Sequence, residues 1–153
     1  MAAPGGRPQA VLFACARNVV RSPMAAALFG RLFGRSVYVR SAGARKGEPD
    51  GFAAAVLDEV GLDLGKHRPM TFEELEDWEG LNFDLIVTLA PEAHHKALEL
   101  TRTLAVDVEY WPTPDPSASE GSRAQRLDAY REVRDLLLAR IKERFGWHAG
   151  GNE

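Results

Sequence analysis

The chain has 153 residues, 45% of them apolar and 27% charged, with a formal net charge of −3, enough apolar material for one packed core of ordinary domain size. That charge argues against a general nucleic-acid binder, which is normally basic, and no apolar run has the length a membrane span needs. The lone cysteine cannot form an intramolecular disulfide and MAAPGGRPQ has no apolar stretch of signal-peptide length, so a reducing cytoplasm is the expected setting.

A single domain is expected over residues 1–153, with frayed ends at 1–8 and 148–153, which are rich in Gly, Ala, Pro and polar residues. A short buried strand is predicted at 11–14. A helix follows at 23–35, with Met24, Leu28 and Leu32 at spacing four. Ser22 suits its N-cap and Pro23 its first turn. A second strand at 36–40 leads into the loop SAGARKGEPD, and Asp50 caps a helix from 51 to about 60 that Gly61 stops. Thr71, with Glu74 three residues on, has the pattern of a capping box. FDLIVTL, at 83–89, is the clearest strand, and Pro91 and Glu92 open a helix reaching about residue 102. A weaker strand at 106–110 precedes the proline-rich loop WPTPDPSASEG. The last element is a long amphipathic helix at 122–145, with Leu127, Tyr130, Val133, Leu137 and Ile141 on one face. Strands alternating with helices predict a three-layer αβα fold, a four-stranded parallel sheet with helices on both faces. Ligands in such folds gather at the carboxyl ends of strands.

Cys15 stands at such an end, and Arg21 follows six positions later, just before the first helix. A strand–loop–helix turn can point its backbone N–H groups inward as an anion nest. A thiol in that setting is expected to ionise readily, and a guanidinium can hold an oxyanion through parallel hydrogen bonds. The candidate substrate-binding residues are therefore Ala16, Arg17, Asn18, Val19, Val20 and Ser22, with Cys15 and Arg21 carrying the chemistry. Alone, Cys15 would read as a small buried apolar residue; the offsets of Arg21 and Ser22 change that reading. A leaving oxygen needs a proton, and Asp115, on the loop beyond the last strand, can approach from above the nest. An aspartate between prolines also suits a plain turn, and Asp107, inside a predicted strand, is the weaker alternative acid. His94 and His95 are adjacent on a helix and do not share a face, so they are read as solvated and no metal is assigned. Trp78, Trp111 and Trp147 are read as packing residues.

The stretch CARNVVRSP resembles the phosphate-binding loop of the low-molecular-weight protein tyrosine phosphatases: Cys, five residues, then Arg-Ser-Pro. Ser41–Gly43 (SAG), His67 and the dipeptide Asp115-Pro116 extend the likeness over about residues 10 to 145. The resemblance implies that Cys15 is the nucleophile, Arg21 the phosphate clamp and Asp115 the general acid and later base. It further implies that Asn18, Ser41 and His67 brace the loop. No cofactor is implied, and the expected partner is a phosphorylated protein or a small aryl phosphate.

The chain departs from the family pattern at three places. Arg17 replaces a glycine, and must either change the loop or extend outward as an extra cation. Val20 replaces a second cysteine, so Cys15 has no disulfide partner to shield it from oxidation. Ser117-Ala118-Ser119 follows the acid where the family carries tyrosines, and the loop after Ser41 offers no ring either, which weakens the expectation of phosphotyrosine specificity. Other readings are an oxyanion-binding module without turnover, arsenate reduction with an external thiol, and a rhodanese-like sulfur carrier, for which Asp115-Pro116 would have no use.

Overall fold

A computed structural model describes residues 7–147. Four strands, β1 (Ala10–Cys15), β2 (Tyr38–Gly43), β3 (Leu85–Thr88) and β4 (Asp107–Tyr110), form one parallel sheet in the order β2-β1-β3-β4. Helices α1 (Arg21–Phe33), α2 (Gly51–Asp58), α3 (Phe72–Glu79), α4 (Pro91–Leu100) and α5 (Arg123–Phe145) surround it, with a 3-10 turn at Pro116–Ala118. Side chains of a strand alternate between faces, so β1 supplies both cores. Val11, Phe13 and Cys15 pack with Met24, Phe29, Val56 and Leu137 of α1, α2 and α5. Leu12 and Ala14 pack with Phe72, Leu75, Ala93 and Ala97 of α3 and α4. The architecture is therefore the predicted three-layer αβα fold, and the larger core is anchored by rings. Phe29 stands 5.6 Å from Phe13, 5.0 Å from Phe33 and 5.0 Å from Phe145, centroid to centroid.

The caps expected at Asp50 and Thr71 form, and Ser122 adds a third. Asp50 Oδ1 accepts from Phe52 N at 2.8 Å and from Ala53 N at 3.3 Å. Capping boxes form at Thr71 with Glu74 and at Ser122 with Gln125.

Two expectations need correction. The second strand covers 38–43 rather than 36–40, because its last residues pair with the buried end of β1: Ser41 with Phe13, Ala42 with Ala14, Gly43 with Cys15. Small residues that resemble a loop in sequence are here what lets β2 lie close to the site. Ser22 is not the N-cap of α1. The helix starts at Arg21 behind Val20, which makes no side-chain cap, and the Ser22 hydroxyl is turned inward. Most of the expected frayed ends lie outside the described residues. At residue 7 the chain is held, since Arg7 Nη2 donates to Phe145 O at 3.1 Å and the guanidinium lies over the Phe33 ring at 4.5 Å. No helix among the described residues is long and apolar enough to cross a membrane.

Candidate active site

The loop after β1 is tied down through its carbonyls. Cys15 O accepts from Ala44 N at 3.1 Å, Ala16 O from Arg45 N at 2.9 Å, Arg17 O from Gly47 N at 3.1 Å, and Val20 O from Met24 N at 3.0 Å. Asn18 O is held by His67 Nε2 at 2.8 Å. Among the described residues, the backbone N–H groups of residues 16–21 have no such partner. Carbonyls taken on the outside and N–H groups left over on the inside make a concavity suited to an oxyanion. The path requires a left-handed residue, Asn18 at φ 59°, one of the few side chains that tolerate that region. Gly43 backs directly onto this turn; a Cβ there would stand 2.9 Å from Asn18 N and 2.6 Å from Arg45 O.

Cys15 is 2% exposed. Its Sγ lies 3.0 Å from Ser22 Oγ and 3.4 Å from Ser22 N, the latter a donor. Asn18 Nδ2 donates to Ser22 Oγ at 2.8 Å and to Ser41 Oγ at 3.0 Å, while Asn18 Oδ1 accepts from Met70 N at 2.9 Å. With Asn18 donating to Ser22 Oγ, the hydroxyl's own proton has two acceptors within reach, Ala42 O at 3.3 Å and the nearer Cys15 Sγ at 3.0 Å. The structure thus brings Asn18, Ser41 and His67 into one hydrogen-bonded group behind the loop. Burial holds the His67 imidazolium below its ordinary pKa; the bond to Asn18 O opposes this and the Arg40 charge adds to it. A neutral ring whose Nε2 carries the proton fits the bond to Asn18 O.

Arg21 is buried, and its Nη1 donates to Thr113 O at 3.0 Å. One backbone carbonyl thereby fixes the guanidinium while Nη2 stands 3.7 Å from Asp115 Oδ2. Asp115 opens the 3-10 turn: its Oδ1 accepts from Ser117 N at 3.0 Å and Ser117 Oγ at 2.7 Å. This leaves Oδ2 facing the two arginines, since Arg17 Nη2 is also 3.7 Å away. Burial raises the Asp115 carboxyl pKa, but the two Ser117 hydrogen bonds and the Arg21 and Arg17 charges outweigh it and hold it below its ordinary value. Arg17 therefore takes the second of its two courses: it extends outward, and its Nη2 also donates to Ser117 Oγ at 3.3 Å. The absent side chain of Gly47 leaves room for the Arg17 stem, whose Cβ and Cδ would lie 3.1 and 3.2 Å from a Cβ there.

Asp107 opens β4 opposite Leu85, which pairs with Val11. That places it about 13 Å toward the amino end of the sheet from Cys15, at ~3.3 Å per residue, and removes it as an acid. His94 is not solvated as expected. Its Nδ1 lies 2.8 Å from Thr88 Oγ1 and its ring stacks on Tyr110 at 4.6 Å. Trp111 packs on Phe13, and Trp147 lies under Lys142. Trp78, expected to pack, is 79% exposed. Sequence reasoning singled out Gly43 within SAG without giving it a role, and missed Thr113 and Arg140, whose Nη1 donates to Pro112 O at 2.9 Å and ties the acid loop to α5. Thr113 and Arg140 carry no local signal, because a carbonyl and a helix-face arginine become site residues only through the fold. It also missed Phe52, which α2 brings into the lining of one groove with Ser117.

Residues 10–146 match the family model described as low molecular weight phosphotyrosine protein phosphatase. The arsenate reductase of Shouchella clausii is 31% identical over 134 residues, 87% of this chain and 92% of that protein. The protein-arginine-phosphatase of Geobacillus stearothermophilus is 30% identical over 154 residues, 90% of this chain and 96% of that one. Among solved structures, the tyrosine phosphatase amsI of Erwinia amylovora superposes with a TM-score of 0.71 at 19% identity, covering 90% of this chain and 91% of that one, a likeness of fold alone.

Proposed function

The chain belongs to the low molecular weight phosphotyrosine protein phosphatase family, and on that premise we propose that it hydrolyses phosphomonoesters through a phosphocysteine on Cys15. The observation supporting this reading is that one loop holds Cys15 Sγ against Ser22 N, leaves its N–H groups at 16–21 without backbone partners, and ends on Arg21, whose Nη2 stands 3.7 Å from Asp115 Oδ2. In the first step the Cys15 thiolate attacks phosphorus and the bond to the leaving oxygen breaks. Asp115 gives that oxygen its proton, while Arg21 and the loop N–H groups hold the equatorial oxygens. In the second step Asp115 takes a proton from water, the water oxygen attacks phosphorus, and the P–S bond breaks. The Ser22 hydroxyl donates to the departing sulfur. Ala16, Arg17, Asn18, Val19, Val20 and Ser22 form the cradle, and Asn18, Ser41 and His67 keep its shape.

The aryl or protein phosphate served is open across the relatives, which include a protein-arginine-phosphatase. The test is therefore a panel of an aryl phosphate, an alkyl phosphate, and phosphotyrosine, phosphoserine and phosphoarginine peptides. Cys15→Ser is expected to abolish turnover. Asp115→Asn is expected to slow it by about 10²–10⁴, most for the poorest leaving groups. Equal activity in Cys15→Ser and the parent would overturn the assignment.

A second reading rests on the relatives named arsenate reductase. Reducing arsenate to arsenite takes two electrons, supplied when two thiols become a disulfide. These 153 residues hold one cysteine, so the other thiol must come from a second molecule. Arsenite release that requires both Cys15 and an added thiol would support this reading; no release with glutathione, glutaredoxin or thioredoxin would remove it.

A further inference from the structure

A groove of about 680 Å³ opens off the Cys15–Arg21 loop toward α2 and α5, with Val19 in its wall, Arg17 and Ser117 on its near rim, and Phe52, Arg123 and Arg126 beyond. The two far arginines are not loose. Their guanidinium carbons lie 5.1 and 4.6 Å from the Phe52 ring centroid, and the ring is fixed in turn by Tyr130, edge-on at 5.3 Å. Stacked guanidinium groups keep their planes and donors while losing little further freedom on binding.

Their lack of acceptors contrasts with the rest of α5. Arg131 and Arg134 pair with Glu59, Arg140 donates to Pro112 O, and Arg144 pairs with Glu109. Arg123 and Arg126 have no carboxylate partner among the described residues. Of the carboxylates lining the groove, Asp50 has both oxygens engaged: it caps α2 through Oδ1 and accepts from Tyr130 Oη through Oδ2 at 2.7 Å. Glu48, also in the lining, is exposed to solvent. Arg17, which faces Asp115 and Ser117, adds a third cation to the border of the groove in a chain whose net charge is −3.

We propose that this groove is a second anion-binding subsite, and that the preferred substrate is a phosphorylated peptide with acidic side chains flanking the phosphorylated residue. The inference rests on the phosphomonoester reading of the neighbouring loop. The groove's volume is in the range that encloses a drug-sized molecule, far more than one carboxylate fills and enough for residues flanking the phosphate. Phe52 acts as a platform for cations, because its ring is occupied by guanidinium groups and Tyr130.

The test uses two phosphotyrosine peptides, one with Asp and Glu on both sides of the phosphorylated residue and one with Asn and Gln in their place. The parent is expected to favour the acidic peptide by about tenfold in kcat/KM, mostly in KM, with the preference fading as salt rises. Arg123→Gln with Arg126→Gln is expected to remove that ratio, and Lys at both positions to restore part of it. Equal kcat/KM for the two peptides, or a preference that survives the double Gln variant, overturns the subsite. If the parent hydrolyses neither peptide, the phosphatase reading has failed separately, and the subsite is judged by affinity for the same peptides on Cys15→Ser. Tighter binding of the acidic peptide that needs Arg123 and Arg126 supports it; equal or absent binding overturns it.

Discussion

At the scale of single residues, Asp115 has to satisfy two opposed demands. In the proposed reaction it carries a proton to a leaving oxygen, yet the resting site favours its ionised form. Burial favours the protonated form, and the Ser117 bonds, then Arg21 and Arg17, override it. A bound phosphate dianion supplies the missing negative charge, competing for Arg21 and pushing the carboxyl back toward its protonated form. Removing a group that favours the carboxylate lets Asp115 keep its proton to higher pH. Ser117→Ala is therefore expected to move the alkaline limb of the kcat–pH profile upward. Arg17→Gly should move it the same way but less, because the Ser117 hydrogen bonds outrank the Arg17 charge. Profiles measured on a poor leaving group check this; an unmoved limb in Ser117→Ala, or one moved to lower pH, would contradict it. Asp115 was legible from its dipeptide with Pro116, whereas its orientation was not, since that depends on arginines 94 and 98 positions away.

At the scale of elements, the caps at Asp50 and Thr71 were legible because each is decided within four residues, whereas Ser22, read as a cap, turns its hydroxyl to the sulfur instead. Strand ends were less legible, since pairing with β1 decides how far β2 runs. Asp50 joins the two kinds of information, capping α2 locally and accepting from Tyr130 of α5, 80 positions away. Asp50→Ala is expected to cost about 2–4 kcal/mol, a lost cap of ~1 plus a buried hydroxyl left without its acceptor at ~1–3. Tyr130→Phe keeps the cap and should cost about 1 kcal/mol. Urea midpoints separate the two; equal losses would show that the cap contributes little.

At the scale of the whole molecule, the ionic groups set an acid limit. Glu59 is held at about 2 by hydrogen bonds from Arg131 and then Arg134. Glu73, Glu74 and Asp115 are also lowered: Glu73 by its bond to Lys96, Glu74 by its bond to Lys46, and Asp115 by its Ser117 bonds and the two arginines against its burial. A carboxyl whose folded pKa is depressed stabilises the fold fully above its unfolded value of ~4 and loses that contribution as pH falls through the folded value. Burial of His67 acts from higher pH, since the unfolded chain takes up its proton below ~6.5 while the folded ring resists. Stability is expected to decline in two stages, the first starting near pH 6.5 and the second running from ~4 toward 2. Glu59→Gln should shallow the second stage alone. Denaturant midpoints measured from pH 7 to pH 3 check this; a slope unchanged in Glu59→Gln would show that its ion pairs are matched in the unfolded chain.

The sequence by itself determined the alternation of strands and helices, the caps at Asp50 and Thr71, and the loop from Cys15 to Arg21, because each is decided by neighbours within one turn or one strand. Only the tertiary structure decided that Ser22 serves the sulfur and not the helix end, that Arg17 reaches the acid loop, and that Asp107 lies at the wrong end of the sheet. It also decided that Phe52, Arg123 and Arg126 share a groove with the loop. These are relations between segments that the parallel sheet brings together, and their chemistry is set by distance in space, which spacing along the chain does not encode.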